Sequence, residues 1–167
     1  MNLTLIVLGF VTIQRLGELL LAQRNTRRLL ARGAIEVGRD HYPYMVLLHA
    51  AWLIGLWVLA RNRPIETPWL ALFVVLQGLR IWVVASLGER WTTRIISLPG
   101  APLVRRGPYR FFAHPNYVVV AAEIAVLPLS FGLVGFAVLF SILNALMLWV
   151  RIGAEVQALR RSQSQEA

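Results

Sequence analysis

Residues 98–117 read LPGAPLVRRGPYRFFAHPNY and separate two long apolar parts of the chain. Four prolines interrupt this stretch, and each removes a backbone N–H and restricts the residue before it, so a continuous helix is excluded. A basic loop between membrane spans can have such a composition. The density of hydrogen-bonding and aromatic side chains on a backbone stiffened by proline nevertheless favours a site. These side chains are Arg105, Arg106, Tyr109, Arg110, His114 and Tyr117.

The composition is typical of an integral membrane protein. Hydrophobic residues make up 57% of the 167 residues, and the mean hydropathy is +0.62, whereas soluble proteins contain about 45–50% apolar residues. The length fits one domain, and we expect it to cover residues 1–167. The chain has no cysteine, which excludes thiolate metal sites and cysteine nucleophiles. We expect no metal site.

Apolar segments predict an all-α integral membrane bundle of about five transmembrane helices. Most of them approach the roughly 20 residues that cross a hydrocarbon core. The fourth is short for a full crossing and is expected to be tilted or partly interfacial. The turn signal Ser130-Phe131-Gly132 follows it, which predicts that the last two helices form an antiparallel hairpin. The segments cover residues 3–21, 43–60, 68–87, 116–129 and 133–150.

The arginines, which are all 17 of the basic residues, predict the orientation. The first and third connections contain five arginines each, the second contains two and the fourth contains none. The positive-inside rule then places the first and third connections and the C-terminal segment in the cytoplasm, with the N-terminus outside. A net charge of +9 can indicate nucleic-acid binding. Here the arginines lie beside apolar spans, where they set the membrane orientation and bind the headgroups of membrane lipids. We therefore expect membrane lipids, and no nucleic acid, as partners.

Polar residues also occur inside the predicted spans. Arg15 and Glu18 lie three residues apart on one helix face and can pair. Ionisable groups at that depth are costly, so they either brace the first span against the bundle or reach the interface by snorkelling. Arg80 in the third span is expected to extend toward polar groups or lipid headgroups.

The predicted hairpin brings a second polar segment toward residues 98–117. Arg151 and Glu155 are four residues apart, so both side chains lie on one helix face. If the hairpin returns the chain to its starting side, they lie next to His114 and Tyr117. This arrangement would unite a guanidinium, a carboxylate, an imidazole and aromatic rings near the membrane surface.

The run GPYRFFAHPNY (107–117), followed by RIGAE (151–155), resembles the isoprenylcysteine carboxyl methyltransferase family and its bacterial relatives. The family pattern is roughly L-V-x-x-G-x-Y-x-x-x-R-H-P-x-Y, then R-x-x-x-E-E after two hydrophobic helices. Ala113 stands where Arg is usual, and Val156 where a second Glu is common. The runs RLGELLLAQRN and WTTRIISLPGAPLV are similar to a small bacterial branch whose members O-methylate long-chain alkylpyrones or alkylresorcinols.

The resemblance implies a methyltransferase of the bacterial inner membrane that uses S-adenosyl-L-methionine, bound on the cytoplasmic side by the loop and the last two helices. Arg151 matches the substrate-contacting arginine of the family. His114 is a candidate base, or it only contacts the cofactor. The residues that the resemblance assigns to cofactor binding are Arg94, Pro102, Leu103, Val104, Tyr109, His114, Pro115, Asn116, Tyr117 and Glu155.

Several functions stay open at this point. The expected one is methyl transfer to an oxygen of a lipophilic acceptor. Alternatives within the same fold are carboxyl methylation of a prenylated cysteine and N-methylation of a phospholipid. A non-catalytic small membrane protein is the alternative of another class. Each methylene contributes about 0.8 kcal/mol on leaving water, so a long-chain acceptor would stay in the bilayer and enter sideways between helices.

Overall fold

The computed structural model describes residues 3–102 and 104–165, with side chains through residue 156. Four helices are long and apolar enough to cross a membrane, and a fifth, α4, is apolar but shorter. This confirms an all-α membrane bundle. The helices are α1 (Leu3–Ala31), α2 (Tyr42–Ala60), α3 (Thr67–Leu87), α4 (Pro115–Leu129) and α5 (Val134–Gln165), and two short strands are β1 (Ile35–Val37) and β2 (Ile95–Ser97).

Two helix connections and the start of α1 meet at one end of the bundle, which we call the turn end. The Glu66 amide, just before α3, donates to the Ser130 carbonyl after α4 over 2.8 Å. The Thr4 hydroxyl of α1 donates to the Arg63 carbonyl over 2.8 Å. The helix α4 therefore reaches the same end as the start of α3, and α4 and α5 form the predicted antiparallel hairpin.

A small antiparallel sheet closes the opposite end, which we call the sheet end. Glu36 of β1 lies opposite Ile96 of β2, so the sheet joins the α1–α2 connection to the α3–α4 connection. The helix α1 continues beyond the predicted span and reaches this region, where the Asn25 amide donates to the Trp91 carbonyl over 2.8 Å. Strands of three residues are too short to produce an alternating pattern, which is why the sequence did not predict them.

The short helix α4 begins below the sheet end, and we call the level between its first residue and that end the recess. With 21 residues in α3 and 15 in α4, their lengths are about 31 and about 22 Å, so α4 begins about 9 Å below the end of α3. The preceding loop fills part of this depth, because the Arg106 side chain donates to the Ser86 carbonyl over 2.7 Å. A Cβ on Gly107 would lie 2.1 Å from Ser86 Oγ, so only glycine permits this close approach.

The bundle core lies between the helices, and a largely apolar surface faces outward. Leu8, Trp52 and Leu127 are buried, whereas Val74 and Trp149 are exposed. Lipid tails are as apolar as these side chains, so the helices associate through close packing and interhelical hydrogen bonds rather than through removal of apolar surface from water.

Candidate functional site

Arg151, on α5, is the centre of a polar cluster in the recess. Its residue surface is only 6% exposed. Its Nε donates to the Tyr117 hydroxyl over 2.8 Å. Its Nη1 donates to the Thr93 carbonyl over 2.9 Å and to Met45 Sδ over 3.0 Å. Within residues 3–102 and 104–156, no acceptor is bonded to Nη2, so one nitrogen of a positioned guanidinium is left for a ligand.

Tyr117, Glu155 and His114 lie beside this arginine. The Tyr117 hydroxyl donates to Glu155 Oε2 over 3.1 Å, and His114 Nδ1 is 3.7 Å from the same oxygen. The His114 and Tyr117 rings stack with centroids 5.1 Å apart and planes 9° apart. The hairpin thus brings together the four side chains that the sequence placed near one another.

Tyr109 extends the cluster, and Asn116 precedes Tyr117 at the start of α4. Burial raises the pKa of the Tyr109 phenol, and the neighbouring Tyr117 and Glu155 raise it further, so the phenol stays neutral. Asn116 Oδ1 is buried, and no described residue donates to it. Buried polar atoms are normally hydrogen-bonded, so this oxygen is suited to a donor on a ligand. Pro115, also buried, begins α4.

Arg94 lies one layer away from the Arg151 cluster. Its Nη1 donates to Glu36 Oε1 over 2.6 Å, and its guanidinium carbon lies 4.4 Å from the centroid of the Tyr42 ring. The bond to Glu36 raises the pKa of Arg94. The Tyr42 hydroxyl is 3.1 Å from Thr93 Oγ1, and the Thr93 carbonyl binds Arg151. Arg94 therefore supports the loop that holds Arg151.

Two further predicted cofactor residues, Pro102 and Val104, lie in a part of the loop without regular secondary structure. Pro102 is exposed and its carbonyl accepts a hydrogen bond from Arg90. Val104 is half-buried, and Leu103 lies outside the described residues. The sequence did not single out Thr93 or Met45, because a backbone carbonyl carries no sequence signal and a methionine in an apolar span is ordinary.

An apolar groove of about 450 Å³ runs between α2 and α5. It adjoins the Arg151 cluster, because Val150 precedes Arg151 and Tyr44 precedes Met45. The groove is lined by Tyr44, Leu47, Leu48 and Ala51 of α2 and by Phe140, Leu143, Leu146, Met147 and Val150 of α5.

A second polar cluster, which we call the intramembrane network, joins α1, α3 and α4. Arg80 donates through Nε and Nη2 to both oxygens of Glu18 and through Nη1 to Glu123 over 2.9 Å. Arg15 donates to Glu123 over 2.8 Å and to Glu18 over 3.1 Å, and Gln77 donates to Glu123 over 2.8 Å. The Arg15–Glu18 pair and the reach of Arg80 to polar groups are confirmed, whereas the role of Glu123 as their common partner was not predicted.

The fold and the recessed cluster define a multi-pass membrane protein with a polar site at one end of its helices and an apolar groove beside it. A family model described as the isoprenylcysteine carboxyl methyltransferase (ICMT) family matches residues 69–161. The chain belongs to this family of membrane methyltransferases, as the sequence predicted. The match includes α4, the loop before it and α5 as far as residue 161.

Two bacterial proteins are similar to the chain over much of its length. The uncharacterized protein YpbQ of Bacillus subtilis is 39% identical over 160 residues, which are 93% of this chain and 95% of YpbQ. An uncharacterized protein of Haemophilus influenzae is 25% identical over 108 residues, 62% of this chain and 63% of that protein. No solved structure matches the chain significantly.

Proposed function

We propose that the protein is an S-adenosylmethionine-dependent methyltransferase that methylates an oxygen of a lipophilic acceptor, of the long-chain alkylpyrone or alkylresorcinol class. The observation that carries this proposal is the position of Arg151. It stands where the polar recess meets the apolar groove, and its Nη2 is not bonded to any described residue. An amphiphilic acceptor needs both environments, one for its oxygen and one for its tail.

The residues of the recess fit the proposed cofactor. Glu155 would bind its ammonium group through a charge-assisted hydrogen bond. The buried Asn116 Oδ1 would accept from a further donor. The Tyr109 ring would stabilise a sulfonium by about 0.5–2 kcal/mol through cation–π attraction, whereas the Tyr117 ring already has the Arg151 guanidinium 5.4 Å from its centroid. When bound, S-adenosylmethionine would supply a methyl group carried on positively charged sulfur.

Arg151 would orient the acceptor and hold its oxygen in the anionic form. A guanidinium fixed by Tyr117, Thr93 and Met45 needs little reorganisation when an oxyanion approaches Nη2, and such preorganised donors contribute strongly in sites that exclude water. His114, beside the Glu155 carboxylate, is the proposed base for an acceptor hydroxyl. Since the residues supply mainly alignment, most of the rate gain would come from proximity and orientation.

We further propose that the sheet end faces the cytoplasm in the bacterial inner membrane. The polar stretches at the sheet end, residues 23–42 and 88–115, contain ten of the arginines, five in each, and the α2–α3 connection at the turn end contains two. Reporter fusions after residue 64 and at the C-terminus should report opposite sides, with the C-terminus in the cytoplasm. Reports from the same side would contradict the orientation.

The test of the function uses purified protein in lipid vesicles. Calorimetric titration should detect S-adenosylmethionine binding, and alkylresorcinols with long tails should be methylated. Arg151→Ala should lower kcat/KM for the acceptor by about 100-fold, the scale of losing one oxyanion donor, while cofactor affinity changes less. Arg105→Ala, at an exposed loop arginine, is the matched control and should behave like the wild type. Absence of cofactor binding would favour the non-catalytic alternative.

A further inference from the structure

The groove between α2 and α5 has a defined lower end. A Cβ on Gly55 would lie 2.6 Å from Cε2 of Phe136, so the two helices touch there. Phe136 also packs on Phe140, with ring centroids 4.4 Å apart. Gly55 follows Ala51 by one helical turn, and Phe136 precedes Phe140 by one turn. The helices therefore meet just below the groove and diverge toward Arg151.

The dimensions of the groove correspond to one alkyl tail. From Phe140 to Val150 the α5 wall rises by about 15 Å at 1.5 Å per residue. The groove volume of about 450 Å³ is three times that of a cavity of about 150 Å³ that holds a benzene ring, which is enough for the carbon atoms of an alkyl tail. Its walls are apolar, and Tyr44 and Leu146 are well exposed on the outer surface, so the groove opens toward lipid.

We propose that the contact between Gly55 and Phe136, with Phe140 above it, sets the tail length that the enzyme prefers. This inference rests on the proposed function. The acceptor oxygen is held at Arg151, so the tail can extend only as far as the Gly55–Phe136 contact before it must bend out into the lipid. A tail in lipid is already in an apolar medium, so the preference comes from packing against the groove rather than from the hydrophobic effect.

The experiment compares two alkylresorcinols in direct competition in the same vesicles, with saturated tails that are, when extended, shorter and longer than the roughly 15 Å of the α5 wall. The ratio of the two products, divided by the ratio of the two acceptor concentrations measured in the vesicles, gives the ratio of kcat/KM values. Differences in how the two acceptors partition into the vesicles are thereby removed. Phe136→Ala should shift the preference toward the longer tail, and Ala51→Leu, which narrows the groove, toward the shorter tail. Each variant should change the ratio of kcat/KM values by at least about threefold. A closed pocket discriminates by about tenfold or more for each methylene, and an open groove should discriminate less.

Leu139→Ala is the matched control, because Leu139 is on α5, is 53% exposed and does not line the groove; it should keep the wild-type ratio. Opposite shifts in the two groove variants support the inference. Unchanged ratios in both, with methylation intact, overturn it and leave the proposed function standing. If Phe136→Ala fails to fold, Ala51→Leu, at an exposed position, still decides. If the wild type methylates neither acceptor, the proposed function fails and this inference fails with it.

Discussion

The intramembrane network and the Arg151 cluster use the same chemical groups in opposite ways. In the network, the Arg80 side chain is 6% exposed and the Glu123 side chain 0%, and two arginines face two glutamates. In the site, Arg151 binds a phenol, a carbonyl and a thioether, and Glu155 keeps 29% of its side chain exposed. In one cluster the charges neutralise one another, and in the other a guanidinium nitrogen remains available to a ligand.

The two clusters differ because the guanidinium nitrogens of Arg80 and Arg151 have different hydrogen-bond partners. All three nitrogens of Arg80 donate to carboxylates, so this guanidinium has no nitrogen left for a ligand. A buried pair of this kind is costly to break, because the remaining charge loses its partner. Arg151 is positioned through Nε and Nη1 by neutral partners, so an anion can bind at Nη2 without displacing them. The network is therefore suited to stability and the cluster to binding.

Of the substitutions that test this comparison, replacing Glu123 should have the largest effect, and the effect should be on stability. Glu123→Leu leaves Arg15 and Arg80 with a single carboxylate between them inside the bundle, which should lower the free energy of unfolding by about 3–5 kcal/mol. Thermal unfolding in detergent measures the change. Glu89→Gln, which removes an exposed ion pair with Arg28, is the control and should unfold like the wild type. Equal stability of both variants would mean that the network does not brace the bundle.

Replacing Glu155 or His114 should affect binding and leave the fold intact. Glu155→Ala removes the carboxylate proposed for the cofactor ammonium, and His114→Ala removes the ring stacked on Tyr117. Each should weaken S-adenosylmethionine binding by about 10-fold to 100-fold, the range expected for a hydrogen bond to a charged group. Calorimetry gives the affinity and thermal unfolding the stability. Wild-type affinity in both variants would limit these residues to a structural role.

A double-mutant cycle on Arg15 and Glu18 should sharpen the account of the network. Glu18→Gln leaves two arginines facing Glu123 alone, whereas the double variant Arg15→Gln/Glu18→Gln leaves a balanced Arg80–Glu123 pair. The double variant should therefore be more stable than Glu18→Gln by about 1–2 kcal/mol, within the range of coupling between contacting residues. Identical unfolding temperatures in all variants would indicate that Arg15 and Glu18 are solvated at the interface.

The smallest effect is expected at Glu36, outside both clusters. Glu36→Gln weakens the ion pair with Arg94, in which the Arg94 side chain is 36% exposed and the Glu36 side chain 5%, and loosens the loop that carries Thr93. We expect about a threefold rise in the acceptor KM at low salt, because a pair that is solvated on one side contributes modestly and salt screens it. High salt should reduce the difference in acceptor KM between the variant and the wild type. A difference that does not change with salt would mean that the ion pair is not its cause.

The same contrast explains how much could be predicted from the sequence. The apolar segments predicted the helices, because only closed backbone hydrogen bonding is tolerated in lipid. The spacing of Arg151 and Glu155 and the turn at residues 130–132 were enough to bring them to His114 and Tyr117. Glu123 is a charged residue in a short apolar helix, but nothing local in the sequence indicates which arginines surround it.

The sequence alone therefore determined the helical membrane class, the hairpin and the residue types of the candidate site, because each depends on local periodicity and on neighbours along one helix. The tertiary structure decided which charges neutralise one another and which remain available. Arg15, Arg80 and Arg151 are chemically identical side chains on three helices. Only the packing of those helices decides that Arg15 and Arg80 meet carboxylates, whereas Arg151 faces a recess left by a helix about 9 Å shorter than its neighbour.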